Sequence, residues 1–173
     1  MVNHVRAIGV AMALLLIACT GESGTKKPAA GTPGHARVGE PAPGWSEPTT
    51  QGSSLSLATL HGKLVYLNFF ATWCPPCNEE APAIDALARE YRARGVQVVG
   101  VDVLENARKA AEFARAHRLS YTVIVDDGTL RDQYAINGLP VHAFIDRDGV
   151  VRSIVVGEIS TLDMRGNVDR LLK

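Results

Sequence analysis

The sequence predicts an α/β domain with a mostly parallel sheet and helices on both faces. Three observations lead there. Apolar, β-branched runs alternate with segments of helical periodicity between residues 63 and 134, the pattern of strands joined by crossover helices. Two further runs flank Asp148-Gly149, a hairpin signature, so antiparallel strands are added at one side. The chain has 173 residues, 46% of them hydrophobic, which is enough for one domain with a core.

The elements follow in order. Lys63 to Phe70 (KLVYLNFF) is a dense apolar run, as expected of a strand covered on both faces. Pro75 and Pro76 open a helix, because a missing N–H costs nothing in the first turn. Ile84, Leu87, Ala88 and Tyr91 mark its apolar face, Pro82 should kink it, and Gly95 ends it. Val96 to Val103 (VQVVGVDV) is a second buried strand. Asn106 can cap a helix running to His117, with Ala110, Phe113 and Ala114 inward. Tyr121 to Val125 is a third strand, closed by Asp127-Gly128, and a short helix covers Thr129 to Tyr134. After Gly138-Leu139-Pro140 come strands His142 to Ile145 and Val150 to Val156. Ser160 caps a last helix ending at Leu172.

The N-terminus reads differently. Arg6 precedes an apolar run, Ala7 to Ile17. As a helix it would rise only ~17 Å against a ~30 Å bilayer core, so residues 1–18 read as a secretory signal segment. The run ends Leu16-Ile17-Ala18-Cys19, which resembles the lipobox of bacterial lipoproteins; the resemblance implies that Cys19 is lipidated and anchors the protein to a membrane. Residues 19–37 (CTGESGTKKPAAGTPGHAR) are too polar and Gly/Pro-rich to order themselves and read as a flexible tether. The domain is therefore expected over residues 38–173. Lys plus Arg and Asp plus Glu number 18 each, so net charge points to neither nucleic acid nor an acidic partner.

The chemistry is expected at Thr72-Trp73-Cys74-Pro75-Pro76-Cys77. A Cys-x-x-Cys beside a β-α-β pattern reads as a redox motif. Residues i and i+3 face each other across a helical turn, where Cα atoms ~5.5 Å apart suit a disulfide. At a helix N-terminus, free N–H groups and the dipole favour a thiolate, so Cys74 should be the nucleophile. Cys77, one turn inside, should be more buried and resolve the mixed disulfide. Two other readings are weaker. A zinc site needs four ligands and no second pair is present, and a loop this short gains little from a structural disulfide.

The stretch VYLNFFATWCPPC resembles the TlpA/ResA group of thioredoxin-like proteins, which are extracytoplasmic thiol-disulfide oxidoreductases. The resemblance extends from Val38-Gly39-Glu40-Pro41-Ala42-Pro43 through LATLHGK and Glu79-Glu80-Ala81-Pro82 to Gly138-Leu139-Pro140 and Phe144-Ile145-Asp146. It implies a three-layer α/β/α sandwich with a mixed central sheet, an N-terminal β-hairpin and a central α/β insertion. It implies that Pro140 is a cis-proline beside the disulfide, lining a substrate groove with Leu139, Trp73, Pro75 and Pro76. It also implies that Glu80 tunes cysteine protonation, although a lone helix glutamate is ordinarily solvated. Asn68 stands where thioredoxin has a buried aspartate, which leaves Glu80 as the nearest proton acceptor. Val141-His142-Ala143 depart from the group's pattern; His142 is expected to be a strand histidine with solvent access, or else to tune the site.

The function so implied is thiol-disulfide exchange at a membrane facing the periplasm or exterior, with no metal or small cofactor. Protein disulfides are the substrates, apocytochrome c among them, and a membrane thiol-disulfide carrier donates the electrons. An oxidase or isomerase is the nearest rival. A peroxiredoxin-type peroxidase wants a Pro-x-x-x-Thr-x-x-Cys loop, which is absent. A Sco-type copper carrier wants Cys-x-x-x-Cys, one residue more than stands between these cysteines.

Overall fold

Seven strands and four helices form around one five-stranded sheet in a computed structural model that describes Met1 and residues 34–173. The expected signal segment beyond Met1, the lipidation site at Cys19 and the expected tether up to residue 33 lie outside the described residues. The chain touches the domain slightly before Val38, since the Ala36 N–H donates to the Gln133 carbonyl. Among the described residues no helix is long and apolar enough to cross a membrane.

A small antiparallel hairpin comes first, with β1 (Ser46–Pro48) paired to β2 (Ser54–Ser56). A 3₁₀ turn, Leu57–Leu60, leads to β3 (Leu64–Phe70), α1 (Pro75–Tyr91) and β4 (Val96–Val103). Next are α2 (Ala107–Ala116), β5 (Thr122–Asp126) and α3 (Thr129–Gln133). Strands β6 (Val141–Ile145) and β7 (Val151–Val156) form the second hairpin, and α4 (Thr161–Leu171) closes the fold. The sheet order is β5-β4-β3-β6-β7. β3, β4 and β5 run parallel, whereas β6 and β7 are antiparallel to their neighbours. This is a thioredoxin-like fold with a mixed central sheet flanked by helices. Elements α2 and β5 stand between the β3-α1-β4 unit and the β6-β7-α4 unit, where the α/β insertion was expected.

Every residue of β3 is buried, which is why its sequence is apolar without alternation. Its even-numbered residues Leu64, Tyr66 and Phe70 pack with Ile84 and Leu87 of α1, Phe113 of α2 and Met164 and Val168 of α4. Its odd-numbered residues Val65, Leu67 and Phe69 pack on the other side with Trp45, Leu60, Leu130 and Tyr134. The second face is thus covered by the short α3 and the N-terminal segment.

Local chemistry sets several boundaries. Asn106 and Ser160 cap α2 and α4 through side-chain oxygens that accept the Lys109 and Asp163 N–H groups at 3.1 Å. Helix α1 runs unbroken through Pro82. Strand β6 starts at Val141, one residue earlier than the sequence suggests, directly after a proline that has no N–H for a ladder. Gly100 of β4 is a close-approach glycine, because a Cβ there would lie 3.1 Å from both Phe70 and Tyr121.

Candidate active site

The site forms where β3 ends and α1 begins. Cys74 is the N-cap of α1, and Pro75 and Pro76 fill the first two helical positions. Neither proline has an N–H, so the helix's first donor is that of Cys77, and it points at Cys74 Sγ from 3.3 Å. A thiolate at Cys74 would accept that bond at the positive end of the helix. The two cysteines are joined in a disulfide with Cα atoms 5.3 Å apart. Each is only 3% exposed, which corrects the expectation that Cys77 is the more buried. The short bridge draws the Cys74 sulfur over the first turn, into the apolar cluster with Phe70 and Cys77.

A polar clamp fixes the loop before Cys74. The Asn78 amide donates to the carbonyls of Thr72 and Cys74 at 3.0 and 2.8 Å. Its own carbonyl faces His117 Nε2 at 3.0 Å. The Thr72 backbone and hydroxyl both donate to Glu105, which also meets Lys109 at 3.1 Å. Burial pushes the Glu105 carboxyl up, but the Thr72 bonds and Lys109 outweigh it and hold the group below its ordinary range.

An apolar face lies beside the disulfide segment. Trp73 is 62% exposed. With Leu139, Val103, Leu104 and Ile136 it lines a surface cavity of about 290 Å³. Pro75 is exposed and Pro76 half-buried, and neither lines that cavity. The Leu139–Pro140 peptide bond is cis, and the Pro140 carbonyl accepts the Gly157 N–H at 2.9 Å.

Behind the pair lies a buried polar cluster. His142 is completely buried, which corrects the expected solvent access. The reason is its register: β6 lies between β3 and β7, and His142 pairs with Asn68 on one side and Val155 on the other. Its Nδ1 sits 2.9 Å from the Tyr66 hydroxyl and 3.5 Å from the Asn68 amide nitrogen. Its Nε2 lies 3.4 Å from Glu80 Oε2. Glu80 is buried too, so the ordinary reading of a helix glutamate as solvated is overturned. Its Oε1 accepts the Ile159 N–H at 2.6 Å. Burial raises the Glu80 carboxyl above its ordinary value, the Ile159 bond opposes, and Glu158 adds to the rise. Burial lowers His142 to about 4, partly offset by the Gly157 backbone, so its imidazole is neutral.

Sequence reasoning found Cys74, Cys77, Glu80, Asn68 and His142 but missed Tyr66, the Ile159 N–H and Asp102. Tyr66 and Asn68 are two apart on β3, hence on one face, a signal that was there to be used. Asp102 is fully buried on β4 with both oxygens unpartnered among the described residues.

Fold and cysteine pair together define a thioredoxin-like thiol-disulfide oxidoreductase. The chain belongs to the AhpC/TSA family, whose pattern matches residues 38–154. It is 31% identical over 136 residues to the thiol-disulfide oxidoreductase ResA of a Bacillus cereus strain, covering 78% of this chain and 79% of that one. It is 33% identical over 134 residues to the thioredoxin-like protein YneN of Bacillus subtilis strain 168, covering 76% and 78%. Among solved structures, a thiol:disulfide interchange protein of Chlorobium tepidum TLS matches with a TM-score of 0.73 and 33% identity, covering 80% of this chain and 99% of that one. The activity class is therefore thiol-disulfide exchange of the ResA/DsbE type, with Cys74-Cys77 as its Cys-x-x-Cys pair.

Proposed function

We propose that the protein is an extracytoplasmic, membrane-anchored reductant of protein disulfides, acting through the Cys74-Cys77 dithiol. The observation that carries this reading is Cys74 at the helix start, its sulfur facing the first free N–H of α1. The anchor rests on the Cys19 segment of the sequence.

In the reaction, the Cys74 thiolate attacks a substrate disulfide. A Cys74–substrate disulfide forms, and one substrate sulfur leaves as a thiolate that takes up a proton. Cys77 then loses its proton to Glu80, three residues on along α1 and on the same buried face. The Cys77 thiolate attacks Cys74 Sγ, the Cys74–Cys77 bond forms, and the second substrate sulfur leaves with the electron pair. The substrate gains two electrons and the protein loses two, which a membrane dithiol carrier must return. The apolar surface around Trp73, Leu139 and the cavity they line suits an extended, apolar-flanked cysteine segment, as in an apocytochrome c awaiting haem.

Oxidation or isomerisation of disulfides would use the same residues, and reduction potential separates these readings. Equilibrating the folded domain with glutathione buffers should give a potential nearer thioredoxin, at about −270 mV, than DsbA, at about −120 mV. A value at the DsbA end would make the protein an oxidant instead.

A further inference from the structure

Glu80 and His142 reach one buried point from two elements, α1 and β6. Glu80 Oε2 and His142 Nε2 lie 3.4 Å apart without the alignment of a hydrogen bond, and among the described residues neither atom has a hydrogen-bond partner. The far end of each group is tied down. Glu80 Oε1 holds the Ile159 N–H at 2.6 Å. His142 Nδ1 faces the Tyr66 hydroxyl at 2.9 Å and the Asn68 amide nitrogen at 3.5 Å. An amide nitrogen only donates, so Nδ1 accepts and Nε2 carries the imidazole proton. That places a fixed, neutral N–H donor opposite the open oxygen of Glu80.

We infer that His142 is a positioning residue of the redox site, whose Nε2–H orients Glu80 and keeps it ionisable so that it can take the Cys77 proton. This rests on the thiol-exchange reading above and deepens it. When Cys77 S–H gives its proton to the Glu80 carboxylate, His142 changes neither charge nor tautomer. It is a donor held in place rather than a second titrating site.

The groups facing the pair fit that role. Glu158, which follows β7, adds negative charge against Glu80. Tyr66 on β3 is held neutral by burial, with Glu80 and Tyr121 opposing its ionisation further. The Cys74–Cys77 disulfide lies at the start of α1. None of these groups is a cation, so the Ile159 N–H favours the Glu80 carboxylate and, in this proposal, the His142 N–H does so too. Burial keeps His142 uncharged, in agreement.

Nuclear magnetic resonance on the protein labelled with ¹⁵N-histidine and ¹³C-glutamate tests this in both redox states. Wild-type His142 should show the neutral Nε2–H tautomer from about pH 5 to about pH 8, and a cation or an Nδ1–H tautomer would overturn the proposal. In His142→Phe the Glu80 midpoint should rise by about one unit, the loss of one hydrogen bond to a charged group. The pH profile of mixed-disulfide release should move with it. His142→Gln keeps a non-titrating N–H donor and should bring both back towards wild type. An unmoved Glu80 midpoint in His142→Phe, or no recovery in His142→Gln, contradicts the role. Should His142→Phe not fold, the wild-type tautomer decides alone. A wild-type protein with the expected spectra that cannot reduce insulin disulfides would instead sink the thiol-exchange reading.

Discussion

Two residue-scale arrangements distinguish the two cysteines although both residues are equally buried. Pro75 and Pro76 remove two of the donors a helix normally offers at its N-terminus, and the one that follows is aimed at Cys74 Sγ. Cys77 receives no such bond and lies one helical turn from a buried carboxyl, Glu80. In the proposed mechanism Cys74 is activated by a donor and Cys77 by a proton acceptor. Because burial raises the Glu80 carboxyl, it binds a proton more readily than a solvated glutamate would. Glu80→Gln keeps the shape and removes the acceptor. It should slow release of the mixed disulfide roughly 10²-fold while leaving its formation by Cys74 nearly unchanged. Stopped-flow traces with release unaffected would show that the proton leaves by another route.

At the scale of elements, β3 and β4 deliver the chemistry and carry its costs. Strand β4 holds Asp102, buried on the face of the sheet that carries Phe70 and α2, with neither oxygen partnered among the described residues. Burial lifts its carboxyl to about 7, helped by Glu105 and opposed by Lys109. An unfolded aspartate titrates near ~3.9. Between those values the native chain holds a proton that the unfolded chain has released, so this stabilisation is complete below about pH 4 and is lost as pH rises through about 7. Asp102→Asn should gain on wild type as pH rises from about 5 to about 8, by ~2–4 kcal/mol in unfolding free energy. A gap that stays flat across that range, measured by thermal or denaturant unfolding, would mean the carboxyl is ionised and satisfied in the folded state. The element order itself was plain in the sequence, since β3 and β4 are nearly pure apolar runs and the Asn106 and Ser160 caps stand at helix starts. The burial of Glu80 and His142 was not. Local pattern places a glutamate on a helix and a histidine in a strand, but their meeting depends on β6 pairing back onto β3 across 74 residues of chain. Trp73, expected in a groove, does lie on the surface, because the chain turns at that point into α1.

Across the whole molecule, the fold separates a buried chemical core from an open face. The β3-α1 junction, the turn ahead of β6 and the end of β4 converge, so cysteines, cis-proline and the Trp73 cavity share one edge of the domain. The buried cluster of Tyr66, Asn68, Glu80 and His142 lies behind them, within the same packed layer as α1 and α4. On the proposed mechanism, such a layout would let a partner's disulfide approach from outside while proton movement stays inside. It also predicts which sulfur touches the partner. Reduced Cys77→Ser protein, mixed with a disulfide-containing protein, should accumulate a covalent adduct that mass spectrometry maps to Cys74, and reduced Cys74→Ser should form almost none. Equal adducts at the two cysteines, or none with either variant, would contradict a nucleophile activated at the head of α1.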